Sequence, residues 1–287
     1  MTDSLSRNEQ PFEDLLGDTS GDYGSEHFSP SEFALREALE DHHYWHLHRR
    51  QVIFEELLRA GVSRQARLIE LGCGIGTVAT YLNSRGFAVD YSDIHREALV
   101  IARRRAEKVL GTAAESRRFV RFDVTRAALE PAYEGVLMLD VLEHLPDDRK
   151  ALANATQALP RGGVAIFTVP AFQLLWSPWD DMEHHKRRYT IAQARSLAES
   201  AGLIVQRATC FFFPLFFAAL GVKLLRKARQ VAVGPAPVAA NILEMAETKT
   251  NPILNDVARK VLAAEHPVRR SLGFALGTSV MCVARKP

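Results

Sequence analysis

Residues 66–77, Ala-Arg-Leu-Ile-Glu-Leu-Gly-Cys-Gly-Ile-Gly-Thr, put one acid and three glycines where a short apolar run ends. Glycines at 72, 74 and 76 let the backbone approach a ligand where a Cβ would collide. The segment behind them carries Val78, Ala79, Tyr81 and Leu82 on one side and reads as a helix. Its first turn offers unpaired N–H groups and the positive end of the helix dipole. A strand, a glycine turn and a helix make a nucleotide-type pocket. A dinucleotide site wants G-x-G-x-x-G, but here the spacing is Gly72-x-Gly74-x-Gly76, with Glu70 two residues before the first glycine. An acid there repels a pyrophosphate and could pair with a cation. S-adenosylmethionine (SAM) carries a sulfonium and an ammonium and lacks phosphate, so it suits the pattern.

Further acids follow at strand ends. Asp93 closes Gly86–Asp93, at the distance where an acid contacts a ribose; Asp90 sits inside that strand. The alternative for Asp93 is a helix N-cap. Asp123, after Arg121-Phe122, could accept the adenine amino proton or be a turn acid. The next run reads Leu139-Asp-Val-Leu-Glu-His-Leu145. Methyl transfer from SAM is an in-line displacement at an activated carbon, so alignment and water exclusion dominate, and an oxygen or nitrogen acceptor of high pKa also needs a base. His144 is the candidate base, weighed against a structural histidine. Glu143 is expected to be exposed or merely supporting. His184 and His185 lie among Asp180, Asp181 and Glu183, and an acceptor-pocket wall is favoured over a metal site. In Asp41–Arg50, His42 and His46 are one helical turn apart without a third ligand, so no metal is assigned.

These residues need elements to hold them. Strands fit 67–71, 87–92, 118–122, 135–140, 163–169, 203–213 and 277–284, and helices fit 31–60, 76–85, 95–110, 146–158 and 191–201. Such alternation means a parallel sheet with helices on both faces, whose strand ends share one crevice. The 287 residues carry a formal charge of +2, which gives no nucleic-acid footprint. Cys73, Cys210 and Cys282 fit no disulfide or zinc spacing, consistent with a cytoplasmic location. Residues 1–29 are polar and read as a mobile segment without a signal peptide. The run Cys210–Val222 holds five phenylalanines between 211 and 217 but is too short to span a bilayer, and Lys223, Arg226, Lys227 and Arg229 follow it. It reads either as core or as a peripheral membrane contact.

Taken together, Glu70 to Gly76, Asp93, Asp123 and the run 139–145 closely resemble the class I SAM-dependent methyltransferases. The resemblance implies a Rossmann-like α/β fold: a seven-stranded, mostly parallel sheet whose last strand is antiparallel. It divides 30–287 into a helical lid (30–61), a SAM-binding core (62–213), a helical cap insertion (214–275) and a final strand (276–287). A bacterial small-molecule and lipid-type subfamily is matched by Tyr44-Trp45 with Arg49, by Thr168–Ala171, by Leu175–Asp180 with His185–Thr190, and by Gly277–Ser279. Tyr133-Glu134 departs from its usual Phe-Asp. The likeness implies that SAM is held by Tyr44, Trp45, Arg49, Glu70, Gly72, Cys73, Gly74, Gly76, Asp93, Ile94, Asp123, Val124, Asp140 and Val141. It implies catalysis by His144, His185 and Tyr189, and acceptor contacts from Trp176, Arg187, Arg188, Phe213, Phe216 and Phe217. The expected function is methyl transfer to a small molecule with a sizeable apolar part. The rivals are a catalytically silent SAM-binding subunit and an NAD-dependent oxidoreductase. Neither the acceptor, the methylated atom nor the oligomeric state is legible.

Overall fold

The structure, a computed structural model, describes residues 12–16, 30–233 and 251–287. Eight strands form one sheet: β1 (Glu13–Asp14), β2 (Arg67–Leu71), β3 (Ala88–Asp93), β4 (Phe119–Arg121), β5 (Gly135–Leu139), β6 (Val164–Pro170), β7 (Ile204–Phe211) and β8 (Ser279–Arg285). Their spatial order is β1-β4-β3-β2-β5-β6-β8-β7. β8 is antiparallel to both neighbours, and every other pairing is parallel. The seven expected strands are present. The eighth, β1, arises within the segment expected to be mobile, most of which lies outside the described residues. Its cause lies in distant partners: the Leu15 N–H donates to Arg121 O at 3.0 Å, Asp14 pairs with Arg96 and Arg121 at 3.0 and 3.2 Å, and Phe12 is buried.

Strand residues alternate between two buried layers, as a sheet covered on both faces requires. Leu68, Val89 and Leu137 face one layer with α2 (Tyr44–Arg59), α3 (Thr77–Ser84) and α4 (Arg96–Leu110). Ile69, Val136 and Met138 face the other with α5 (Asp148–Gln157) and α7 (Ile191–Ser200). The lid is two helices, α1 (Pro30–Leu39) and α2, rather than one. Between β6 and α7 lies the short α6 (Pro178–Met182). Between β7 and β8 lie α8 (Phe213–Val233), α9 (Pro252–Ala263) and α10 (Glu265–Ser271). Residues 234–250 of the expected cap lie outside the described residues.

Candidate functional site

The glycine turn after β2 is built as its residues require. Gly72, Gly74 and Gly76 have φ of +74°, +53° and +75°, a region other residues rarely enter. A Cβ on Gly72 would lie 2.5 Å from Val141 Cγ2, and one on Gly76 2.9 Å from Ala102 Cβ. A Cβ on Gly74 would meet no protein atom within 4 Å. Thus two glycines serve the fold, and the third keeps its open side clear of any side chain. Asp93, buried at the end of β3, sets the turn: its Oδ2 accepts the Gly74 N–H at 2.8 Å and its Oδ1 accepts the His95 N–H at 2.9 Å. The N-cap of α4 is His95 rather than Asp93, whose bond to the His95 N–H closes a turn ahead of the helix. Two further lone pairs remain on the carboxylate.

Glu70 is fully buried beneath this turn, and its Oε2 has no hydrogen-bond partner among the described residues. Burial pushes its carboxyl up to about 8, against the pull of the Arg49 charge. A buried acid with an orphan oxygen suits a cationic ligand. Arg49 reaches the end of β5, with Nη1 3.1 Å from Asp140 Oδ2 and Nη2 donating to Leu139 O at 3.1 Å. Asp140 takes φ +56° and accepts from Thr168 Oγ1 at 3.0 Å. Trp45 stacks on Phe212 at 5.4 Å, and the Tyr44 N–H donates to Asn255 Oδ1 at 2.8 Å. Cys73 is buried, which raises its thiol well above the ordinary range and makes it no nucleophile. Asp123 carries the turn: its Oδ1 accepts from Thr125 N and Oγ1 at 2.9 and 2.7 Å, and Arg126 lies 3.3 Å from Oδ2. Ile94 and Val124 lend backbone carbonyls, to Arg121 Nε at 3.1 Å and Asn154 Nδ2 at 2.7 Å respectively.

The acceptor side differs more from expectation. His144 and His185 do meet, edge to face, with centroids 4.8 Å apart. His185 is oriented by Asp180, whose Oδ1 lies 2.8 Å from Nδ1. Arg188 also grips Asp180, at 2.7 and 3.0 Å, and donates to Ala171 O. Burial would raise the Asp180 carboxyl, but the His185 and Arg188 hydrogen bonds hold it down at about 2. Arg188 is thus neutralised inside the protein. Arg187 pairs with Asp148 at 3.1 Å and donates to Leu145 O and Pro146 O. These partners correct the expectation that either arginine greets an anionic substrate group. Tyr189 is corrected likewise: it is buried, and its hydroxyl donates to Asp148 Oδ2 at 2.7 Å, which ties the loop to the start of α5. Phe213 stacks on Phe274, Phe216 is buried against Phe172, and the half-exposed Phe217 meets both of them edge-on, at 5.1 and 5.4 Å. Trp176 Nε1 donates to Asp181 at 3.1 Å.

Glu143 is the residue most misjudged in sequence. It is 0 % exposed, and neither carboxylate oxygen has a hydrogen-bond partner among the described residues. Burial, then the charge of Asp140, push its carboxyl well above the ordinary range. A hint was available, since it stands in a run of leucines and valine between Leu139 and Leu145. Glu143, His144 and His185 each bring a ligand atom within 4.8 Å of one another, a set able to hold a divalent ion. The sequence also hid the lid's contacts. Phe33 of α1 packs on Ile75 in the glycine turn, Glu40 receives the Thr77 hydroxyl, and Arg36 binds Glu183 at 2.8 and 2.7 Å. The α1–α2 segment therefore touches both the glycine turn and the post-β6 loop.

Comparison with known proteins gives a family model, described as a methyltransferase domain, over residues 44–208. Two ubiquinone biosynthesis O-methyltransferases are similar. That of Alkalilimnicola ehrlichii is 30% identical over 102 residues, covering 36% of this chain and 40% of the relative. That of Aeromonas salmonicida is 29% identical over 154 residues, covering 49% and 63%. The chain thus spans less than two thirds of either relative's length. The phosphoethanolamine N-methyltransferase 2 of Haemonchus contortus, solved with SAM, shares the fold with TM-score 0.55 and 17% identity over 90% of this chain and 57% of that one.

Proposed function

The chain belongs to the methyltransferase-domain family, and from that premise we propose that it moves a methyl group from SAM to a hydroxyl of a small, largely apolar acceptor. One observation carries the reading. The glycine turn with the buried Glu70, Asp93 and Asp140 stand at the C-terminal ends of the adjacent strands β2, β3 and β5, and the segment after β5 carries His144, whose ring meets that of His185. The family leaves the NAD-dependent alternative without support. The oxygen acceptor follows the printed name of the curated relatives, and the phenylalanines around β7 supply apolar surroundings. Contact with a membrane surface, and a cytoplasmic location at its inner face, belong to the same reading.

SAM supplies a methyl carbon already activated by its sulfonium. The residues supply position. Asp93 and the N–H groups of the turn would hold the ribose side, Glu70 and Arg49 would face the amino acid end, and α1 excludes water by covering Ile75. His144, steadied against the Asp180-held ring of His185, takes the acceptor's proton. The test is SAM binding by calorimetry together with transfer of labelled methyl to hydroxylated apolar compounds. His144→Ala is expected to slow transfer by about 10²–10⁴ with SAM affinity retained. Absent transfer from an enzyme that binds SAM would favour the silent subunit.

The Glu143–His144–His185 set supports a second reading of proton removal, through an acceptor oxygen bound to a divalent ion. Loss of activity on chelation, restored by magnesium or zinc, would favour it over His144 acting alone.

A further inference from the structure

Helix α8 begins at the end of β7, where Glu265 Oε1 and Oε2 each accept a backbone N–H, from Phe212 and Phe213, at 2.9 Å. Along it, Phe217, Leu224, Leu225 and Ala228 recur at i, i+7, i+8 and i+11, which is one helical stripe. All four are exposed, with Leu225 at 72%. Helix α9 repeats the arrangement. Ile253, Leu254, Val257 and Val261 form a stripe turned outward, with Ile253 at 73%. The residues that hold α9 to the body are instead Asn255, which bonds His42 O and Tyr44 N, and the buried Leu262. A helix packed only to bury its apolar side would be oriented the other way.

The charges on α8 are of one sign. Phe213–Val233 contains no acid, while Lys223, Arg226 and Lys227 lie within a turn of Leu224 and Leu225 in sequence. On α9 the acid Asp256 is paired with Lys260 at 2.7 Å, and Arg259 falls on the side of the helix away from the stripe. An apolar stripe on a helix whose charges are all basic fits the boundary of an anionic bilayer, where the apolar side chains enter the acyl region and the cations reach headgroups. Among the described residues, no helix is long and apolar enough to cross a membrane. The same helix reaches the rim of the crevice: Phe216 packs on Phe172 after β6, and Lys223 Nζ donates to Leu174 O and Trp176 O.

We propose that α8 and α9 lay these two stripes on an anionic lipid surface, so that an apolar acceptor enters the crevice from lipid rather than through water. This rests on the reading of the acceptor as largely apolar. The experiment uses the full chain, sedimented with vesicles of phosphatidylcholine alone or mixed with phosphatidylglycerol. The wild type is expected to partition onto the mixed vesicles and to leave them at high salt. Leu224→Gln with Leu225→Gln should weaken partitioning at least tenfold, and Arg226→Gln with Lys227→Gln about 25-fold, or about fivefold per charge. Thermal midpoint and SAM affinity should stay at wild-type values in both variants. Three results would overturn the proposal. The first is a wild type that ignores mixed vesicles at low salt. The second is a leucine variant that melts well below wild type, which would show that the chain itself covers the stripe. The third is a wild type that dimerises through this face, with dimers lost in the leucine variant and vesicle binding unchanged. SAM binding by a protein that ignores vesicles would leave the methyltransferase reading standing, so the two failures are distinguishable.

Discussion

Alanine at Gly72 and at Gly74 should separate folding from cofactor binding, although the two positions are only two residues apart. Both have positive φ, so alanine at either costs about 1 kcal/mol in backbone strain. At Gly72 the new Cβ also lies 2.5 Å from Val141 Cγ2, and relieving such overlap adds about 1–3 kcal/mol. The expected totals are about 2–4 kcal/mol at Gly72 and about 1 kcal/mol at Gly74. In a domain of this size each kcal/mol moves Tm by about 2–4 °C. Gly72→Ala should therefore melt roughly 4–16 °C lower and Gly74→Ala only about 2–4 °C lower. For SAM the order reverses in meaning. The Gly74 Cβ enters the side of the turn clear of protein atoms, so a variant that folds almost normally should lose SAM affinity at least about tenfold. Circular dichroism melts without SAM, paired with titration calorimetry, measure both quantities. If Gly74→Ala binds SAM as the wild type does, that open side is not where the cofactor lies. If it melts as low as Gly72→Ala, the steric argument itself is wrong.

Glu70 gives a pH signature. With its carboxyl near 8, the folded protein holds a proton that the unfolded chain has released above about 4.5, so Glu70 costs stability increasingly as pH rises through that window. A cationic ligand favours the ionised form, so SAM binding should release a proton below pH 8 and tighten toward it, by up to about tenfold per pH unit. Calorimetry in buffers of different ionisation enthalpy should show that release in the wild type and not in Glu70→Gln. Asp180→Asn strips the counter-charge from the nearly buried Arg188 and the anchor from His185, and should cost about 3 kcal/mol or more in urea unfolding. A cost under about 1 kcal/mol would show that the cluster is solvent-screened. Arg49→Gln should weaken SAM binding by about 1.5–3 kcal/mol; a change confined to the melting temperature would make Arg49 only a tether between α2 and Asp140.

The fold was legible because short apolar strands and period-3.6 helices follow one another from Arg67 to Ser200, broken only between β4 and β5, where no helix stands. Asp93 stands out in sequence because its task in the fold is local: it binds the turn after the neighbouring strand. The acceptor side was not legible, because its residues are defined by partners far away in sequence. Arg187 and Arg188 look like ligands for an anion until Asp148 and Asp180 appear beside them. Glu143 looks like a surface acid until the strand end and the loop close over it. The strand at Glu13–Asp14 was hidden because two residues carry no periodicity, and its stability comes from Arg96, Arg118 and Arg121.

The glycine turn and the later strand ends are held by different physics, which bears on how each can change. The turn is fixed by glycines and by Asp93 bonding backbone within thirty residues of sequence. The later strand ends carry strained backbone: Asp140, Phe172 and Phe212, at or just past the ends of β5, β6 and β7, all take φ between +55° and +62°. Left-handed conformations in such residues cost free energy and persist only where neighbours over-determine them. Asp140 is held by Thr168 and Arg49, and the Phe172 N–H donates to Tyr189 O at 2.9 Å. Phe212 is held by Trp45 and by Glu265, which comes from the far side of the insertion. The insertion therefore braces the backbone at the end of β7 rather than hanging from it. A substitution at Glu265 releases both N–H groups at the head of α8, frees Phe212 to relax, and shifts the rings behind it. The glycine turn shares none of those contacts, whereas Trp45 does, so a Glu265→Gln protein that binds SAM as the wild type does would show that Trp45 does not hold the cofactor.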